Sequence, residues 1–251
     1  MQYTLKKSLG QHFLKDENII RQIVDALGEY QFTRLVEVGP GGGALTKHLL
    51  QIADVDFKAV ELDDEKVQFL ELTYPSIKGK IIHKDFLEID PPFEEPFIVI
   101  GNFPYNISTQ IVFKVLEWKD KVPVMIGMFQ KEVAMRIASK PGSKVYGIMS
   151  VLVQVFYEVE YLFDVPQDSF NPPPKVMSGV IKFIRKETTV DFKDERSLFS
   201  LVKMAFNQRR KTLRNATRSL FDESVLNDDI FNKRAEQLSI EDFAALTYRM
   251  K

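Results

Sequence analysis

The sequence contains no cysteine. That excludes disulfides, thiolate nucleophiles and cysteine-ligated zinc or iron–sulfur centres, and it suits a reducing compartment. Long apolar runs are missing too. A membrane helix needs about 20 consecutive apolar residues, and the nearest candidate, GIMSVLVQVFYEV, is shorter and is interrupted by Gln154. The amino-terminal MQYTLKKSLGQHFL has two lysines but no apolar segment, so it does not read as a secretory signal. A cytoplasmic location is expected. Histidine is scarce, and His12, His48 and His83 are scattered, so no metal site is expected. Neither sign of charge dominates: 34 Lys and Arg against 35 Asp and Glu give a formal net charge of -1. Phosphate contacts dominate the affinity of nucleic-acid binders, so any such footprint here must be local.

What is present is a regular alternation. At 251 residues there is room for one large domain, or a medium domain and a small one. DENIIRQIVDALG (16–28) spaces Ile19, Ile20, Ile23, Val24 and Leu27 as a helix, with Asp16 as its cap and Gly28 as its stop. Short apolar runs then read as strands: RLVEVG (34–39), FKAVEL (57–62), GKIIHKDF (79–86), PFIVIGN (96–102) and VPVMIGMFQ (122–130). Between and after them ALTKHLLQIA, DEKVQFLELTY, STQIVFKVLEW and KEVAMRIAS read as helices. Such alternation implies βαβ units and a mostly parallel sheet. Two further runs, YGIMSVLVQVFYEVEYLFDV and VMSGVIKFI, flank the proline-rich PQDSFNPPPK and are expected to pair as an antiparallel hairpin. After Arg185 the pattern is helical only: SLFSLVKMAF, RRKTLRNATRSLF, FNKRAEQL and IEDFAALTYRM, the last opened by Ser239. The expected division is a catalytic domain over 1–186 and a helical domain over 187–251.

Three strand ends carry chemistry. EVGPGGGAL (37–45) closes the first strand and opens a helix, and Gly39, Gly41 and Gly43 allow a tight turn and a close approach of ligand to backbone. Gly39, Gly41 and Ala44 fit a dinucleotide pattern, while Glu37 with the three glycines makes E-x-G-x-G-x-G, which leans toward S-adenosylmethionine. Glu61 ends the next strand, where an acid binds ribose hydroxyls in such folds. Both ligands present that ribose. Asp85 ends the third strand, where a carboxylate can accept from an adenine amino group.

Asn102-Phe103-Pro104-Tyr105 follows the fourth strand. An exocyclic adenine nitrogen is a poor nucleophile because its lone pair is delocalised into the ring. Acceptors on its N–H groups push it toward a tetrahedral, nucleophilic form. The Asn102 side-chain oxygen and the Phe103 carbonyl are such acceptors, Pro104 stiffens the turn, and Tyr105 offers a flat face for a base. Methyl transfer from a sulfonium needs placement rather than a strong base.

A local basic footprint exists. KMAFNQRRKTLRNATRS (203–219) carries six cations and no acid, and helical spacing of Lys211, Arg214 and Arg218 gives a positive stripe, which by charge alone reads as a solvated helix face and with the family resemblance below as a surface suited to RNA phosphates. Arg210 is the candidate for a structural cation instead.

In order, SLGQHFLKDENII, VEVGPGGGALT, VELD, KDFL, GNFPYNIS, SFNPPPKVMSGVIKF, FNQRRKTLRN and RAEQLSIEDFAAL resemble the small-subunit ribosomal RNA adenine dimethyltransferases of KsgA type, relatives of the erythromycin-resistance ribosomal methyltransferases. The resemblance spans nearly the whole chain. It implies an α/β, Rossmann-like S-adenosylmethionine-dependent methyltransferase sheet with a small all-helical C-terminal domain. The implied activity is transfer of four methyl groups to N6 of two adjacent adenosines in a hairpin loop near the 3′ end of the RNA. The implied partner is that RNA within a pre-ribosomal small subunit, with a monomer, no membrane and no metal. By resemblance, His12 and Leu14 border the cofactor. Gly39 lies against its methionine part, Glu61 takes the ribose hydroxyls, Asp85 takes the adenine amino group, and Gly41, Leu62 and Phe86 also bind the cofactor. Asn102 lies between cofactor and target, and Tyr105 with Phe170 sandwiches the target base. Arg209, Arg210, Lys211 and Arg214 are the expected RNA contacts. Phe103 departs from the leucine often found at its position. The alternatives are a large-subunit drug-resistance methyltransferase, an assembly factor with secondary catalysis, and a nicotinamide oxidoreductase.

Overall fold

A computed structural model describes residues 12–251. Ser8 to Gln11, the start of the first block quoted above, lie outside the described residues. The chain divides into two compact units. One comprises the described residues up to Ala134 and Glu160–Arg185; the other comprises Met135–Val159 and Lys186–Lys251. The second unit thus takes in residues 135–159 as well as the C-terminal helices, a return of the chain that composition does not mark.

In the first unit a short strand β1 (Phe13–Leu14) leads into α1 (Glu17–Asp25). Asp16 caps α1 by accepting from the N–H groups of Asn18 and Ile19, as its sequence position implies, and the apolar face buries Ile20 and Ile23. There follow β2 (Arg34–Val38), α2 (Thr46–Leu49), β3 (Asp56–Glu61), α3 (Asp64–Thr73), β4 (Ile81–His83), β5 (Ile98–Asn102), α4 (Ser108–Glu117), β6 (Val124–Gln130) and α5 (Lys131–Ala138). β2, β5 and β6 are buried along almost their whole length, the pattern of a parallel sheet covered on both faces. After α6 (Ile148–Phe156), which belongs to the second unit, come β7 (Tyr157–Val165), β8 (Phe170–Asn171) and β9 (Ser178–Arg185).

The main sheet has the order β4-β3-β2-β5-β6-β9-β7. It is parallel from β4 to β6, and β9 runs antiparallel to β6. The chain winds outward from β2 to one side and from β5 to the other, so a crevice opens at their carboxyl ends. β1 pairs with β8, Leu14 opposite Phe170, which ties the N-terminal block to the proline-rich loop.

The run read as one arm of a hairpin divides instead: residues 148–156 are α6, and only from Tyr157 is the chain a strand. A short run that is apolar throughout fits a buried helix or a buried strand equally well. In the second unit α7 (Glu195–Asn207), α8 (Leu213–Ala216), α9 (Glu223–Leu226) and α10 (Ile240–Thr247) pack around Phe206, Phe221, Phe231 and Phe243. Phe221 meets Phe231 edge-on at 4.9 Å. Ser239 caps α10, accepting from Asp242 N–H.

Candidate functional site

The first strand, the glycine loop and the second strand form one hydrogen-bonded assembly. Gly39, Gly41 and Gly43 all have positive φ, a region side chains avoid. A Cβ at Gly43 would lie 2.5 Å from the Tyr74 ring, so both space and conformation demand glycine. Gly39 N–H donates to the Val60 carbonyl at the end of β3. Glu61, the next residue, accepts from Gly41 N–H with one carboxylate oxygen and from Leu62 and Asp63 N–H with the other. Three backbone donors therefore aim this acid before any ligand arrives.

Two adjoining cavities lie on this assembly and share Gly39, Glu61, Lys66 and Pro104. One adds His12, Leu14, Glu37, Asn102 and Tyr105. The other adds Leu62, Asp85 and Phe86. Asp85 gives one oxygen to Leu87 N–H, which leaves the second for a ligand. Leu62 is exposed beside it, whereas the Phe86 ring is buried and meets Trp118 edge-on. A split cavity with a glycine cradle, a backbone-oriented acid and a second acid at the far end fits a nucleoside joined to an amino acid. Lys66 is missing from the sequence-derived site; nothing in its local pattern distinguishes it from an ordinary helix-surface lysine.

Glu37 is also buried against this cavity, where it accepts from the Thr46 hydroxyl at 2.7 Å. Burial pushes its carboxyl up from 4.5 to about 8, against the pull of the Thr46 hydrogen bond and with added repulsion from Glu61. Below 4.5 the group is protonated whether the chain is folded or unfolded. Between 4.5 and about 8 unfolding releases a proton, so stability falls as pH rises, at up to about 1.4 kcal/mol per unit. Glu37→Gln removes this titration. Its stability advantage over the wild type is expected to grow from about pH 5 to about pH 8 and then level off, as read by urea denaturation across pH. A difference independent of pH would contradict the assignment.

Asn102 ends β5 opposite Met128 of β6. The next residue, Phe103, donates its N–H to the Met128 carbonyl and sends its ring into the core. Gly101 and Gly127 are cross-strand partners and make the slot for that ring: a Cβ on either would lie within 2.6 Å of it. The Phe103 side chain is thus an anchor for the backbone that lines the cavity. Tyr105 lines the cavity with its hydroxyl 2.6 Å from Ser178 Oγ, and burial raises its phenol against the pull of that bond. His12 flanks the Tyr105 ring at 5.8 Å and is tied through Nδ1 to the Pro172 carbonyl. Phe170 is not brought to the cavity wall: its ring is buried in the core cluster beside Leu14.

The basic segment, in the second unit, departs from the expected stripe. α7 ends at Asn207 and α8 covers only Leu213–Ala216. Residues 208–212 lie outside both helices, and Leu213 N–H, at the start of α8, bonds to the Lys233 carbonyl, so Lys211, Arg214 and Arg218 do not share a helical face. Arg209 donates to the carbonyls of Lys144 and Tyr146; it, not Arg210, is the structural cation. Arg210 and Lys211 are exposed in the turn, and Arg214 is half-buried.

Among the described residues no cluster of His, Asp or Glu could hold a metal ion, and no helix is long and apolar enough to cross a membrane.

The family model for ribosomal RNA adenine dimethylase matches residues 2–250. The ribosomal RNA small subunit methyltransferase A of Flavobacterium johnsoniae is 52% identical, over 98% of this chain and 95% of its own length. That of Cytophaga hutchinsonii is 50% identical, over 96% and 95%. Among solved structures, a dimethyladenosine transferase from Plasmodium falciparum superposes with a TM-score of 0.79 at 24% identity, over 95% of this chain and 99% of that one. The 23S rRNA methyltransferase ErmE gives 0.69 at 22%, with the same coverage. These two likenesses establish the α/β methyltransferase fold.

Proposed function

Because this chain belongs to the ribosomal RNA adenine dimethylase family, we propose that it transfers methyl groups from S-adenosylmethionine to N6 of two adjacent adenosines in the 3′-terminal hairpin loop of small-subunit ribosomal RNA. The observation that carries the chemistry is the placement of Asn102 beside the glycine loop and Glu61 on one cavity wall. The bound cofactor supplies an electrophilic methyl on a sulfonium. Glu61, already oriented by three N–H groups, accepts the ribose hydroxyls, and Asp85 accepts the adenine amino group, with Leu62 covering the ring. The glycine loop, with His12 and Leu14, borders the amino-acid part. Asn102 Oδ1 and the Phe103 carbonyl take the N–H groups of the target amine and direct its lone pair. Tyr105 supports the base by stacking. With a phenol raised by burial, Tyr105 stays neutral at working pH and serves as a platform rather than a base.

In this reading residues 1–186 hold cofactor and target, and residues 187–251 supply RNA-facing cations, Arg210 and Lys211 foremost. The protein acts in the cytoplasm, as a monomer, on a pre-ribosomal small subunit. Arg210→Ala and Lys211→Ala are expected to leave stability within about 0.5 kcal/mol of the wild type. Each is expected to weaken RNA binding and reduce the slope of log K against log salt by about 1. Arg209→Ala is expected to lower the melting temperature, because two carbonyls lose their charged donor. Equilibrium binding at several salt concentrations and a thermal melt separate these outcomes.

The test of the activity is mass spectrometry of nucleosides after incubation with cofactor and unmethylated small or large ribosomal subunits. N6,N6-dimethyladenosine confined to the small-subunit RNA is expected. Product in the large subunit alone, or no dimethyladenosine, would overturn the proposal.

A further inference from the structure

Ser178 is a buried hydroxyl to which the mechanism above gives no task. It opens β9 and is fully buried. A hydroxyl taken out of water is costly unless it finds a partner, and β9 offers none of its own, since it continues Gly-Val-Ile before reaching Lys182. The partner among the described residues is Tyr105, whose phenol oxygen lies 2.6 Å away across 73 residues of chain.

Topology explains the meeting. Parallel strands end at the catalytic edge, and an antiparallel strand begins there. Ser178 is the register partner of Gln130, the last residue of β6. The start of β9 is held firmly. Lys131 N–H donates to the Met177 carbonyl at 2.9 Å. Tyr161 lies so close over Gly179 that a Cβ there would sit 2.3 Å from its hydroxyl. That hydroxyl donates to Asp164, which also pairs with the Lys131 ammonium. Successive strand residues point to opposite faces, so Gly179 receives Tyr161 on one side while Ser178 turns its hydroxyl to Tyr105 on the other.

We infer that Ser178 is a positioning residue for the methyl transfer: its hydroxyl holds the tip of Tyr105 while His12 flanks the ring, so that one orientation of the ring face meets the target base. The inference rests on the reading of Tyr105 as the stacking platform. Ser178 touches neither cofactor nor substrate and acts through Tyr105 alone. Transfer in line requires the amine and the methyl to be aligned, and a displacement of about 1 Å can cost about 10²-fold in rate. A ring that is still present but free to rock should cost less.

The experiment is a double-mutant cycle on the full-length protein, with Ser178→Ala, Tyr105→Phe and the pair, and with Tyr105→Ala alongside. Turnover on unmethylated small subunits, KM for those subunits, cofactor Kd by calorimetry and the thermal melt are measured for each. Ser178→Ala is expected to lower kcat about tenfold, with KM and cofactor Kd near wild type and a melting temperature lowered by a few degrees at most, because the Tyr105 hydroxyl loses its partner. Tyr105→Phe breaks the same bond from its other end and should fall to a similar kcat. The double variant should be no slower than the slower single, because one interaction is removed only once. Multiplied losses in the double variant would overturn the proposal, as would wild-type kcat in either single variant. A loss confined to the melting temperature would overturn it too, in favour of a purely structural bond. Full turnover in Tyr105→Ala would strike at the platform itself; an impaired Tyr105→Ala beside an unimpaired Ser178→Ala would strike only at Ser178.

Discussion

Asn102→Ala is expected to lower the rate of methyl transfer by about 10²–10³-fold while cofactor affinity stays within about threefold of wild type. In energy this is about 3–4 kcal/mol of transition-state stabilisation. Asn102 sits at the last ladder position of β5, and the N–H of the following residue is anchored to the Met128 carbonyl. The acceptor is therefore held in place before the target arrives, and its loss leaves a gap that water fills without the same aim. In the proposed site the ground-state cofactor contacts lie on the glycine loop, Glu61 and Asp85, so cofactor affinity is expected to survive the change. Asn102→Asp keeps an acceptor oxygen and is expected to retain more turnover than Ala. Single-turnover rates with isothermal titration of cofactor make the comparison. Wild-type turnover in Asn102→Ala would remove the residue from the reaction; a parallel collapse of cofactor affinity would make it a binding residue instead.

The second large effect comes from a residue that touches no ligand. Gly127→Ala is expected to cost about 1–3 kcal/mol of stability and also to depress turnover. Its Cβ would lie 2.3 Å from the Phe103 ring and 2.7 Å from that of Phe129, which are packed edge-on at 5.2 Å. The ring must move, and with it the backbone that carries the Phe103 carbonyl and Asn102. Phe103→Leu shortens the offending side chain, so the pair Phe103→Leu with Gly127→Ala should be less destabilised than the sum of its parts. Chemical denaturation of the four proteins measures this. Strict additivity would show that the slot does not hold Phe103 in the way described. The slot also explains how the chain accommodates a phenylalanine here: two facing glycines leave room for a ring.

Much of the site was legible because local pattern and chemistry coincide there. The glycines, Glu61, Asp85 and Asn102 each stand at the end of an apolar run, and a parallel sheet brings such ends to one edge whatever the loops between them do. The helix caps at Asp16 and Ser239 were equally plain, since capping is a matter of three or four neighbouring residues. Where the reading failed, distance in sequence was the reason. The basic stripe needs a continuous helix, and the chain leaves the helical conformation between Asn207 and Leu213. Arg209 reads as an RNA contact in the sequence because nothing nearby identifies Lys144 and Tyr146 as the carbonyls that claim it.

Strand-end polarity and turn chemistry are encoded within a few residues, so the sequence points to an α/β fold and to the proposed chemistry at Asn102 to Tyr105, while the ordered blocks along the chain carry the ribosomal RNA family. Tertiary structure alone decided what supports that chemistry: Glu61 bound to the glycine loop, Phe103 seated between Gly101 and Gly127, and Tyr105 tied to Ser178. Each of these joins groups from different strands. The side chain itself shows in the sequence, but which partner satisfies it depends on the register and direction of a neighbouring strand, and only the assembled sheet specifies those.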